Sequence, residues 1–293
     1  MVRPVELSII GAGRTGRTLG LLARRAGYAI GPVVCRTAAH ARAAAAFIGA
    51  GRPGTELRGA ELTLVAVPDG EIPNVVRSLR MPRGGVVAHT CASLGADALR
   101  PLRPAGAVHP LRSFADPARA AELFPGTTCA VDGDAAAVKI LDRFVRAIGG
   151  SPLRVRTDRK ALYHAGAVFA SNYVVVVLEA ALRLFEQAGV PRRSATPALV
   201  RLAEGTLENV KSVGIPAALT GPIERGDVET ARRHARALFD AGLWGANFEL
   251  GFLAIGMAEE KGSIRPGDRK ELVDAIAALP SDVERPKKAA VRR

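Results

Sequence analysis

At 293 residues and 48% hydrophobic side chains, the chain has room for one large domain or two ordinary ones with a sizeable core. Its net charge of +13 comes from 41 basic and 28 acidic residues, yet aromatics make up only 4% and the basic residues are scattered apart from Arg285–Arg293, so no nucleic-acid partner is expected. Cys35, Cys91 and Cys129 are an odd, widely spaced set without a CxxC pair, which argues against disulfides and a zinc site and predicts a reducing cytoplasm.

The opening MVRPVELSII leads straight into a strand, which predicts no secretory leader. A strand over Leu7–Ile10 runs into Gly11, Gly13 and Gly16 and then into a helical run, Thr15–Arg25. This is GxGxxG between a strand and a helix, the setting in which it binds a dinucleotide. Gly11 permits the tight turn, Gly13 lets backbone approach a pyrophosphate, and Gly16 lets helix and strand pack closely. The pyrophosphate would sit on the helix N-terminus, with Arg14 and Thr15 beside it.

The second strand, Ala29–Cys35, ends in Arg36 and Thr37. An NAD-preferring fold places an acidic residue here for the ribose hydroxyls. A guanidinium instead suits a 2′-phosphate, and Thr37 can add a hydroxyl, so the expected cofactor is NADPH. An alanine-rich helix, Ala38–Ile48, follows. Glu61–Val67 is a buried strand ending in Pro68 and Asp69. Val86–His89 precedes Thr90 and Ser93, and Ala105–His109 precedes Ser113. Thr127–Val131 and Leu153–Arg156 read as strands around a helix, Ala135–Ile148. Ligands in such sheets bind beyond the carboxyl ends of the strands, which makes Asp69, Thr90, Ser93, His109 and Ser113 candidates by position.

From about Thr157 the strand patterns stop. Asp158 is placed to cap a long helix running to about Ala188, with Gly189 and Pro191 as its stop. Its apolar stretch, Ala165–Leu182, contains Ser171, Asn172 and Glu179 and predicts no membrane-spanning helix, which needs ~20 apolar residues. Further helical runs cover Ser194–Ser212, Asp227–Leu243 (capped by Asp227) and Asn247–Glu260. The expected fold is α/β, a Rossmann-like doubly wound parallel sheet over residues 1–157, then a smaller all-α domain over 158–280 and a basic flexible tail over 281–293.

Three segments carry a resemblance: His109-Pro110-Leu111, the YHA…ASN run Tyr163–Asn172, and TGPIERGD at Thr220–Asp227. With them the chain resembles oxidoreductases that join a Rossmann-like N-terminal domain to a C-terminal helical domain of unknown function. It is more distantly similar to pyrroline-5-carboxylate reductase (through Tyr173, Glu179 and Ala180), ketopantoate reductase and the β-hydroxyacid dehydrogenases. The resemblance implies a nicotinamide cofactor and a homodimer formed through the helical domain. The last two families use a lysine four residues before an asparagine; Asn172 matches the asparagine, but Val168 stands in the lysine's place.

At ~100° per residue, His164, Val168, Ser171, Val175 and Glu179 fall on one stripe, with Asn172 at its edge. Carbonyl reduction needs a proton donor, and histidine suits that near neutral pH. His164 is the first choice and His109 the second, against the plain reading that a helical histidine is a satisfied core group. Ser171 and Asn172 would orient the substrate. Glu179 is equally an interface or a buried hydrogen-bonding residue. Ser93 and Arg225 are the substrate-binding candidates; Arg225 either clamps a carboxylate or is part of turn chemistry. The expected function is NADPH-dependent reduction of a small carboxylate-bearing ketone, a 2-oxo acid of the ketopantoate type. A cyclic imine reductase and a non-catalytic NADP-binding sensor are the alternatives.

Overall fold

The protein is described from a computed structural model, over residues 4–278. The chain divides into two compact units, residues 1–172 and residues from Tyr173 onward.

The first unit is built on an eight-stranded sheet. Its elements in order are β1 (Glu6–Ile10), α1 (Arg14–Arg25), β2 (Ala29–Val34), α2 (Ala38–Ile48), β3 (Arg52–Gly54), β4 (Leu62–Val65), α3 (Ile72–Ser78), β5 (Val86–His89), β6 (Ala105–Pro110), α4 (Pro117–Glu122), β7 (Thr128–Gly133), α5 (Ala135–Ala147), β8 (Ser151–Arg154) and α6 (Lys160–Ala170). The strand order is β3-β2-β1-β4-β5-β6-β7-β8. All neighbours are parallel except β6 and β7. This is the expected doubly wound arrangement with its last two strands, β7 and β8, running in reverse. β7 runs backwards because its connection from β6 stays at the carboxyl edge, where Leu111 N donates to Thr128 O at 2.8 Å.

Burial follows the pleat. Leu7 and Ile9 point to one face and join Leu19, Leu141 and Phe144; Ile10 points to the other and joins Val65, Ile72 and Leu99. Thr37 caps α2 by accepting the His40 amide at 3.2 Å, and Gly49 ends that helix at φ +77°. The short elements β3, α3 and α4 carry too few periodic residues to be read from the sequence.

The single long helix expected from Asp158 is absent. A 3₁₀ turn, Thr157–Arg159, leads into α6, which stops at Ala170. Ser171 leaves helical geometry at φ −131° and ψ −66°, and α7 (Asn172–Gln187) starts afresh. The Ser171 hydroxyl lies 2.8 Å from Ala167 O and 2.9 Å from Asn172 Oδ1, local bonds that compete with the helical ladder. Asp158 caps nothing: its carboxylate accepts both Arg156 guanidinium bonds, at 3.0 and 2.8 Å. The break also dissolves the predicted stripe, since His164 and Val168 belong to α6 whereas Val175 and Glu179 belong to α7. By length and composition, residues 157–187 do reach what a membrane span needs, against the expectation from Ser171, Asn172 and Glu179. The break splits the stretch into α6 and α7, of 11 and 16 residues, each short of the ~20 that cross a bilayer.

The second unit is helical: α7, α8 (Arg192–Val213), α9 (Ile215–Ala218), α10 (Val228–Asp240), α11 (Trp244–Lys261) and α12 (Pro266–Ala277). Asp227 caps α10 as expected, accepting from Thr230 N at 3.0 Å. Its core gathers Ala231, Ile255, Ala258, Leu272 and Ile276 from α10, α11 and α12. Glu179 on α7 bonds to Arg183 and Arg192. The predicted tail, 281–293, lies outside the described residues.

Candidate functional site

The strand order reverses between β1 and β4, and the carboxyl ends of such neighbours open a crevice. A cavity of about 710 Å³ lies there, lined by Gly11, Gly13, Arg17, Arg36, His40 and Pro68 among others. That volume is in the range of ligand pockets. Gly11 sits at φ +87°, and a Cβ on it would come within 2.7 Å of Ala66 O. A Cβ on Gly16 would come within 2.3 Å of Gly11 O. These two glycines hold the turn against the sheet. Gly13 differs: a Cβ there meets nothing within 4 Å. It precedes α1 with no side-chain cap, which leaves the helix N-terminus open to an anion. Thus the donors fit a pyrophosphate, and Arg36 fits a phosphate at the end of β2. Arg14, Thr15 and Gly16 form the first turn of α1. Thr37 spends its hydroxyl on capping α2.

Gly13→Ala is expected to leave the melting temperature within about 2 °C, since φ −72° suits alanine and the space is open. Dinucleotide affinity should fall about tenfold or more, because the methyl occupies the space of backbone approach. Equal affinity in a fluorescence titration would refute the assignment.

A second group of polar side chains gathers beyond the carboxyl ends of β4, β5 and β6. Asp69 follows Pro68 and accepts from Ser93 Oγ at 3.2 Å. Thr90 continues the sheet, its N–H donating to Val65 O at 3.0 Å. His109, on β6, places Nδ1 2.8 Å from the Tyr163 hydroxyl of α6. The ring of His164 stands edge-on to His109 with centroids 6.5 Å apart, and its buried Nδ1 has no hydrogen-bond partner among the described residues. The structure therefore brings together the two predicted histidines and inserts a tyrosine between sheet and helix.

The electrostatics of this group are unusual. Burial, then the Lys160 charge, push His109 down to about 4. Burial holds the Tyr163 phenol up at about 12. At neutral pH the couple is uncharged. Lys160, at 2% exposure, and Asp132, at 4%, form a buried ion pair behind it at 3.0 Å. His89 is buried too, accepting from Cys91 N at Nδ1 (3.2 Å) and bonding Gly95 O through Nε2 (2.9 Å).

Other candidates are engaged elsewhere. Ser171 and Asn172 bond to each other at the helix break. Arg225 is exposed in the second unit, on the turn that Asp227 closes. Tyr163, Lys160, Asp132, Arg17 and His40 were not selected from the sequence. Lys160, Tyr163 and His164 are spaced i, i+3 and i+4, so a helical register begun at Lys160 rather than at His164 exposes them as one face.

The fold is of the Rossmann type, and its cavity lies where that fold opens a crevice for a ligand. The Rossmann-like domain family matches residues 2–113, and a domain of unknown function, DUF2520, matches residues 127–248. The chain thus carries the two-part arrangement that its motifs imply. No curated protein sequence matches it. Among solved structures it is similar to protein TM1727 of Thermotoga maritima, at 25% identity and TM-score 0.72, covering 87% of this chain and 99% of that one. It is also similar to a proposed NADP oxidoreductase from Bacteroides fragilis, at 20% identity and TM-score 0.66, covering 87% and 98%. The 1-pyrroline-5-carboxylate reductase of Streptococcus pyogenes shares the fold at 14% identity and TM-score 0.60, covering 94% and 99%.

Proposed function

We propose that the chain is an NADP-dependent oxidoreductase that reduces a small carboxylate-bearing ketone, of the 2-oxo acid type, and that the Tyr163–His109 couple handles the proton. The hydrogen-bonded couple at the carboxyl edge of the sheet carries this reading. The reduced nicotinamide would supply hydride. Tyr163 then gives its proton to the carbonyl oxygen, while the neutral imidazole of His109, in the tautomer that donates from Nδ1, holds the phenol oxygen and leaves the phenolic hydrogen free. Asp69 and Ser93 line the same edge and orient the polar end of the substrate. Tyr163 takes the place of the lysine that Val168 replaces.

A cyclic imine is the second substrate class, favoured by the likeness over almost the full length to a 1-pyrroline-5-carboxylate reductase. The test is oxidation of NADPH with ketopantoate and with pyrroline-5-carboxylate, followed by loss of nicotinamide absorbance, with NADH as control. Turnover of the imine alone selects the second class. NADPH binding with no turnover on a carbonyl panel would favour a sensor. In the same assay Arg36→Glu should weaken NADPH about 10–100-fold and spare NADH, as one charge-assisted contact to the 2′-phosphate is replaced by repulsion.

The partner we propose is a second copy of the chain. Five successive residues of α7, Tyr173 to Val177, are all exposed, from 39% at Val174 to 67% at Val175. An exposed helical turn that is apolar all round is ordinarily covered. Light scattering should give twice the chain mass, and Val175→Asp with Val176→Glu should halve it; a wild-type monomer at micromolar concentration would sink the idea.

A further inference from the structure

Behind the Tyr163–His109 couple stands a lysine without contact to the cavity. Lys160 and Asp132 are both buried, their charged atoms 3.0 Å apart, and neither Nζ nor Oδ1 makes a hydrogen bond in good geometry to any described residue. Such a pair is a poor stabiliser, because desolvating two charges consumes most of their attraction. It is also firmly held. Asp132 Oδ2 accepts from Ala96 N at 3.0 Å and from Thr157 Oγ1 at 3.2 Å, tying the loop after β5 and the entry to α6 to one carboxylate on β7. Lys160 opens α6, so Tyr163 follows it by one turn, and the ammonium lies 5.4 Å from the centroid of the Tyr163 ring. That is within cation–π range. The hydroxyl of the same ring meets His109.

We propose that Lys160, clamped by Asp132, is a positioning residue for the Tyr163–His109 couple: it seats the tyrosine ring and keeps a second positive charge off the imidazole. A protonated His109 would add a second positive charge to an interior that already holds the Lys160 ammonium. The buried ammonium makes that state costly, since like charges in a low-dielectric interior repel strongly. Around the imidazole stand Tyr163, His164 and Lys160 from α6, and Asp69 from the end of β4; Lys160 and His164 oppose its protonation and Asp69 favours it. Cys129, on β7, acts on the Tyr163 phenol. His89 is an internal control, because Lys160 and Asp132 act on it with opposite signs.

This inference rests on the reading of the couple given above, but its test needs neither cofactor nor substrate. The ring signals of the five histidines of the folded chain are titrated by NMR in wild type and in the charge-free double variant Lys160→Met with Asp132→Asn. The asparagine oxygen can still accept the Ala96 amide. The His109 midpoint should rise by about one pH unit, a tenfold gain in proton affinity, while His89 moves less. If that variant does not fold, Lys160→Gln with Asp132→Asn keeps a neutral hydrogen-bonded pair and must show the same rise. Lys160→Arg retains the cation and should hold the midpoint near the wild-type value. A His109 midpoint that stays put in the charge-free variants, or that rises as far in Lys160→Arg, overturns the proposal. Loss of turnover in Tyr163→Phe is a separate question, which decides the catalytic reading alone.

Discussion

Tyr163→Phe should lower turnover by about 10²–10⁴, the range for losing a positioned acid, while NADPH affinity stays within about twofold. The phenylalanine keeps the ring that meets Lys160 and His109 and removes only the oxygen 2.8 Å from Nδ1. The split between rate and binding is the informative part. The cofactor cavity draws on Gly11, Gly13 and Arg36, none of which touches the phenol, so affinity has no reason to move. The pH dependence follows from the couple's charges. With His109 at about 4 and Tyr163 at about 12, both are neutral across the range between. Rate should therefore hold across that range and fall as pH rises toward 12, where Tyr163 loses the proton it gives; stability of the fold at that limit is followed by circular dichroism. A turnover loss below threefold would remove Tyr163 from the chemistry and return His164 to first place.

The largest expected effect on stability is at the buried ion pair. Asp132→Ala should cost about 3–5 kcal/mol, because it strands a buried ammonium and orphans the Ala96 amide together. Lys160→Met should cost a comparable amount by stranding the carboxylate. Removing both charges, as Lys160→Met with Asp132→Ala, should cost far less than the sum of the two. Chemical denaturation of the four forms gives the coupling directly. Additive losses would mean that the pair is solvated and that its members act independently.

Much of this architecture could be read before any coordinates. α2 is bounded by Thr37 and Gly49, a polar cap and a left-handed glycine, and its limits were legible to the residue. β5 was legible too, as a short apolar run between glycine and threonine. Gly11, Gly13 and Arg36 line the cavity, and they could be picked out because their chemistry is local: a tight turn, an open helix end, a cation after a strand. The group proposed to handle the proton was less legible. His109 was singled out by its place at the end of a strand and His164 by residue type, but Tyr163 was passed over because its partner is 54 residues away in sequence. Asp132 was invisible for the same reason, since a carboxylate in a strand gives no sign that a lysine 28 positions later is folded onto it. The helix break at Ser171 was missed because periodicity runs straight through it. There the deciding term is a hydroxyl that turns back onto Ala167, and no pattern of apolar residues encodes it.

His89 has one more consequence. Its ring is spent at both ends on backbone, accepting the Cys91 amide and bonding the Gly95 carbonyl. The imidazole thereby acts as a buckle across the loop that follows β5, and fastens it without any helix or strand. Amide deuteration should reveal this as an anomaly: the Cys91 N–H, though it lies in a loop, exchanges only when the buckle opens, at a rate closer to the core strands than to its neighbours.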